Sequence, residues 1–210
     1  TRFVFGYLDT LAHELGHSVA AWGFGYPAVP AFDWRYGGGV TLISSRSTPL
    51  VIVCFGALAY LVYHLRDRPA PRNAVLVFAA LYTVAFLTPV HEMIWLGMGH
   101  LTELILAGVF LYRAISGSAV VHAVERPLYA ACGTFMILRN LTLSWGLMVD
   151  QDARAAYGMA KGGGHWMDMS RIARDFLGID LAAVASLFFL AAVLTPVATY
   201  WIYSALGSED

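Results

Sequence analysis

Charge is what this chain has least of. Only 13% of its 210 residues are Asp, Glu, Lys or Arg, about half the ~25% of an ordinary soluble domain. Its 13 cationic residues include a single lysine, Lys161. With a net charge of −1 and no basic patch, nucleic acid is excluded as a partner. Cysteine is scarce too. Cys54 and Cys132 both sit inside apolar runs, which reads as two small buried hydrophobes and not as a disulfide framework or a CxxC metal site. Repeats and linkers are also missing, so one domain over 1–210 is expected.

Hydrocarbon fills the space that charge leaves. The chain is 59% hydrophobic with a mean hydropathy of +0.63, and several segments are long enough to cross a bilayer core of ~30 Å. The expectation is an all-α polytopic membrane protein, with about six transmembrane helices and a short β-hairpin after the first. The spans are drawn at 3–24, 48–65, 74–96, 98–121, 127–149 and 181–205. Residues 25–47 are rich in Gly, Pro and aromatics, and the Gly37-Gly38-Gly39-Val40-Thr41 run predicts a turn and short strand at the membrane surface. Trp22, Tyr26, Phe32, Trp34 and Tyr36 fit an interfacial aromatic belt. The polar stretch 150–180 is the largest extramembrane piece. The first span is not expected to be a cleavable leader, because it carries the chain's principal motif.

That motif is His13-Glu14-Leu15-Gly16-His17, a complete HExxH. On a helix, histidines four residues apart leave from one face and can hold zinc, and the neighbouring glutamate is placed to activate a zinc-bound water as general base. Two histidines and a glutamate can also serve as polar glue between helices, but ionisable groups within a span are costly and usually functional. A catalytic zinc takes three protein ligands. The third is expected from Gly162-Gly163-Gly164-His165-Trp166-Met167-Asp168, whose glycines let the backbone bend inward. Asp168 is preferred, with His165 its rival; a polar loop ending in a helix-starting Asp168 is the plain alternative.

Six crossings would bring five of the seven histidines to one end of the bundle, with His64 and His122 at the other. His91, Glu92, His100 and Glu103 would then lie near the motif as partners that orient the ligands, as a second metal site, or as donors to substrate. Partners are favoured, because metal-bound imidazoles need an acceptor on the other nitrogen. The order His-then-Glu is the reverse of the Glu-x-x-His of dimetal carboxylate bundles. Pro89 should kink the third span and free carbonyls near the site. Arg139 and Asn140, deep in the fifth span, are expected to bind substrate or to pair with an acid such as Glu103.

Over residues 11–41, HELGH followed by small and apolar residues and then a Pro-rich, Gly-Gly-Gly-Val-Thr hairpin resembles the site-2 protease family, intramembrane zinc metalloproteases of the M50 (M50B-like) type. The resemblance implies His13 and His17 as zinc ligands and Glu14 as catalytic base. It also implies a membrane-embedded protein or peptide as substrate, and a multi-pass protein of a bacterial inner (cytoplasmic) membrane with the lipid bilayer around it. The family's third ligand, an aspartate in an Asn-Pro…Leu-Asp-Gly context, has no counterpart in this sequence; Asp168 in HWMDMSR would substitute for it. No extramembrane stretch is long enough for a PDZ-like domain. The expected function is zinc-dependent intramembrane peptide hydrolysis. Its alternatives are a non-catalytic metal-binding subunit with partner membrane subunits, and a haem-binding electron carrier using His17 with His91 or His100.

Overall fold

A computed structural model describes residues 2–35, 37–163 and 167–206. In chain order the elements are α1 (Arg2–Gly23), β1 (Ala28–Phe32), β2 (Gly39–Ile43), α2 (Thr48–His64), α3 (Pro69–Leu87), α4 (Val90–Ser116), α5 (Glu125–Val149), α6 (Gln151–Gly163), α7 (Asp168–Arg171) with a π-helical continuation Ile172–Leu177, and α8 (Leu181–Leu206). The protein is mostly helical, with a two-stranded antiparallel sheet directly after the first helix.

Three helices among the described residues are long and apolar enough to cross a membrane: α3, α4 and α8. Helix α2 is apolar but has only 17 residues. Neither α1 nor α5 qualifies; α1 carries Asp9, His13, Glu14 and His17, and α5 carries Arg139 and Asn140. The expectation of six spans is therefore reduced to three by length and hydropathy.

One boundary is also corrected. The segment drawn at 74–96 is two helices, because α3 stops at Leu87 and α4 starts at Val90. Pro89 does not kink a continuous helix. It cannot donate a hydrogen bond to α3, so it initiates the next helix in its place. His91 and Glu92 accordingly belong to the first turn of α4. The carbonyls freed at the break are taken locally: His91 Nδ1 lies 2.5 Å from the Thr88 oxygen and 3.3 Å from that of Ala85. At its far end α4 closes on Gly117, whose φ of 71° is the left-handed conformation of a helix C-cap.

Helices α1, α4, α5 and α8 pack around one another, with α4 at the centre touching the other three. The larger core cluster joins Ala21 of α1, Trp95 and Leu96 of α4, Leu147 of α5, Tyr157 of α6, Met169 of α7 and Phe188 of α8. It holds Tyr157, Met169, Ile172 and Ala173, all from the stretch read from sequence as extramembrane, against the bundle. Close approach of α1 and α4 depends on Gly99: a Cβ there would sit 2.6 Å from His13 Cε1 and from His17 Nε2. The hairpin lies along α1, its strands in register from Ala28↔Ile43 to Phe32↔Gly39. Its turn uses Gly37 and Gly38 at φ of 79° and 83°, values that side-chain-bearing residues avoid. Trp22 ties it down, donating from Nε1 to the Ala28 carbonyl at 2.8 Å. Tyr26 leaves the expected aromatic belt, stacking on His91 and meeting Trp95 edge-on; Tyr36 lies outside the described residues.

Candidate metal centre

One face of α1 carries Asp9, His13 and His17 at successive four-residue steps, the helical repeat that stacks side chains above one another. His17 Nδ1 donates to the Trp95 carbonyl at 2.6 Å. A carbonyl can only accept, so the proton is on Nδ1 and the Nε2 lone pair points away from α4. His13 repeats the arrangement with a carboxylate: its Nδ1 lies 3.0 Å from Glu103 Oε1. Both imidazoles thus present Nε2 to the same point.

Asp168, the first residue of α7, meets them there. Its Oδ2 is 2.9 Å from His13 Nε2 and 3.2 Å from His17 Nε2. Two imidazole lone pairs facing a carboxylate oxygen repel unless a proton or a cation lies among them. Zinc bond lengths imply ligand–ligand separations of about 3.3 Å in a tetrahedral site, close to those two distances. The three residues therefore fit a metal ion by donor type, orientation and spacing, and they form one of two clusters among the described residues able to hold one. Burial alone would raise the Asp168 pKa, but His17 and His13, when protonated, outweigh it and hold the carboxyl below the usual carboxylate range. His165, the rival third ligand, lies outside the described residues.

Behind the ligands runs a buried polar chain. Asn140 Nδ2 donates to Glu103 Oε2 at 2.7 Å and to the Met136 carbonyl at 3.1 Å. His100 Nδ1 lies 3.1 Å from both Glu103 Oε2 and Asn140 Oδ1. Each group holds the next, and the chain ends on the orientation of the His13 ring. The other metal-capable cluster, His13 with His100 and Glu103, uses this network, in which Glu103 and His13 already bond directly.

Glu14 faces the cavity beside the ligands, 7% exposed. Thr41 of β2 donates its hydroxyl to Glu14 Oε2 at 2.7 Å, so the hairpin fixes the carboxylate. The approach is tight at Gly39, where a Cβ would lie 2.7 Å from the Glu14 carboxyl carbon. The cavity, about 860 Å³, is walled by α1, β2, α4, α5 and the α6–α7 segment. Lys161 also lines it and donates from Nζ to the Gly39 carbonyl. Tyr157 lines the cavity as a protonated phenol, its pKa pushed above the ordinary value by burial and by the Asp168 carboxylate.

Two residues expected at the centre stand apart from it. His91 points its Nε2 at the Tyr26 hydroxyl, 3.1 Å away, beneath the Arg46 guanidinium. The helix break at Pro89 turns it away from the cavity. Glu92 is half-exposed and pairs with Arg171 at 3.8 Å. Arg139 does line the cavity, but its acid is Asp9, at 2.8 Å, instead of Glu103. Glu103 is already engaged by His13, His100 and Asn140. Asp9, Thr41 and Tyr157 are site residues that the sequence reading missed. Asp9 had a signal: a carboxylate one turn before HExxH inside an apolar segment demands a partner. Thr41 and Tyr157 had none, because only the packing of the hairpin and α6 brings them near.

Comparison of the chain with protein-family models, with curated proteins and with solved structures returns no match.

Proposed function

We propose that this chain is a zinc-dependent intramembrane peptidase of the site-2 protease type. The observation that carries the reading is the convergence of His13 Nε2, His17 Nε2 and Asp168 Oδ2 beside Glu14. Zinc held by those three residues would supply Lewis acidity, acidifying water and polarising a carbonyl oxygen. Everything else is done by the chain's own groups. The Trp95 carbonyl and Glu103 keep the two imidazoles in the tautomer that offers Nε2. Thr41 holds Glu14 Oε2, leaving Oε1 to take a proton from the attacking water and deliver it to the leaving amine nitrogen. Asn140 and His100 brace Glu103.

An extended polypeptide is the substrate shape favoured by β2. This strand pairs with β1 along one edge and borders the cavity, so a substrate strand can add to it by main-chain hydrogen bonds. That geometry suits a transmembrane segment unwound near its cleavage point. Six crossings, by α1 to α5 and α8, complete the proposal. Two polar residues that lower the hydropathy of α1 and α5 are turned inward, Asp9 at 0% and Asn140 at 1% exposed. Exposed residues of the same helices include the apolar Val4, Leu11, Leu138 and Trp145.

The test is Glu14→Gln in the full chain purified in micelles. Bound zinc should stay at the wild-type level by elemental analysis, while cleavage of a transmembrane model substrate falls by about three orders of magnitude or more. A variant as active as wild type would sink the enzymatic reading. Zinc bound tightly by a wild-type protein that cleaves nothing would turn the site into a structural one.

A further inference from the structure

Beside the main cavity lies a smaller one, and nothing in the proposed chemistry uses it. Its volume is about 330 Å³, at the lower end for ligand pockets and suited to one large side chain. The two cavities share Thr10, Asp33, Gly38 and Arg139, so the second opens from the first through a neck. Beyond the neck the walls are aromatic. Phe3 and Tyr7 meet edge-on at 4.6 Å and Tyr7 and Phe32 at 5.2 Å, while Phe32 and Trp34 are tilted against each other at 6.0 Å.

Resting on the peptidase reading, we infer that this aromatic chamber is a specificity subsite for a large aromatic side chain of the substrate, two or three residues from the bond cleaved. Distance sets the position. Thr10 and Tyr7 precede Glu14 by four and seven residues, or about 6 and 10 Å along the helix, and an extended chain covers that in about two to three residues. Direction agrees: β2 starts at Gly39, against Glu14, and the chamber continues past it to Gly37 and Gly38 of the turn.

The preference for a ring comes from the walls and the neck together. Edge-to-face contacts reward an entering aromatic beyond its apolar area. The Arg139 guanidinium, 48% exposed, can lie over its face. Asp9 already neutralises Arg139, and Asp33 shares the neck, so an acidic side chain gains no net attraction there. A neutral ring does.

Photocrosslinking tests this with Glu14→Gln protein in micelles, which leaves the probe uncut. The probe is an Ala/Leu peptide of about ten residues with one p-benzoylphenylalanine. Crosslinks should fall on residues 3–10 and 32–38, and the same peptide carrying Phe should compete about tenfold better than one carrying Ala. Tyr7→Ala should reduce the yield severalfold. So should Trp34→Ala, whose side chain is 81% exposed and whose loss leaves the fold intact. Crosslinks elsewhere, or equal competition by Phe and Ala peptides, would overturn the subsite. Wild-type protein that cleaves a Phe-scanned substrate without positional preference overturns it too, while leaving the peptidase standing. Capture in the chamber without any cleavage does the reverse.

Discussion

Helices α2 and α3 and the bundle α1–α4–α5–α8 are built from similar apolar residues, yet they bury opposite things. No residue of α2 is buried, and Ala85 is the only buried residue of α3. Many of their apolar side chains face outward, among them Ile52, Val53, Val77, Leu81 and Leu87, and Phe55 meets Tyr82 and Phe86 between the two helices themselves. Within the bundle, α4 alone buries His91, His100 and Glu103, and α1 buries Asp9, Glu14, His17 and Ser18. A lipid tail is as apolar as leucine, so hydrocarbon gives an apolar side chain no reason to prefer the interior. Polar groups decide the burial instead. Each must find a partner inside or cost several kcal/mol. The pair α2–α3 has nothing to hide and stays peripheral; the bundle closes around its carboxylates and imidazoles.

The sharpest way to break that contrast is to remove a ligand. Asp168→Ala should abolish stoichiometric zinc binding, measured by elemental analysis after gel filtration, because two imidazoles alone make an incomplete site. Zinc retained at full stoichiometry would remove Asp168 from the centre and return attention to His165. One step back from the ligands the effect shrinks. Glu103→Gln should weaken zinc by about 10- to 100-fold in a chelator competition, the usual consequence of losing a partner that orients a metal-bound imidazole. An unchanged affinity would show that the His13 ring is held without it. Smallest of all is a change on the peripheral pair. Leu81 of α3 is 66% exposed, so Leu81→Ala should alter stability in micelles by less than about 0.5 kcal/mol and leave zinc content untouched. A large loss there would mean that α3 is packed against something other than lipid.

Legibility followed the same division. Helices α1, α2, α5 and α8 lie within a few residues of the segments drawn from hydropathy, and the hairpin turns at the glycine run that predicts it. At Pro89 the sequence predicts a kink within one span and not a boundary, because apolar residues flank it on both sides, Val84 to Leu87 before it and Val90 with Met93 to Trp95 after it. Hydropathy averages over such a break, whereas a missing backbone donor acts at a single residue. The partner of Arg139 was misassigned for a related reason. Sequence shows that a buried-depth guanidinium needs an acid, but Asp9 and Glu103 satisfy that need equally on paper. Only the packing of α1 on α5, with Glu103 committed to His13 and Asn140, chooses between them.

What the sequence determined by itself was local: which stretches are helical, that His13 and His17 share a face, and that Glu14 stands beside them. Those follow from a repeat of 3.6 residues and the cost of polar groups among apolar ones. Tertiary structure decided the rest. Asp168 is 155 residues from His13 along the chain, Thr41 comes from β2, and Trp95 and Glu103 come from two different turns of α4. No local periodicity encodes such meetings. They arise because α4 can approach α1 at Gly99 and Gly16, where the absence of a Cβ on each helix lets two imidazole rings lie against a helix backbone.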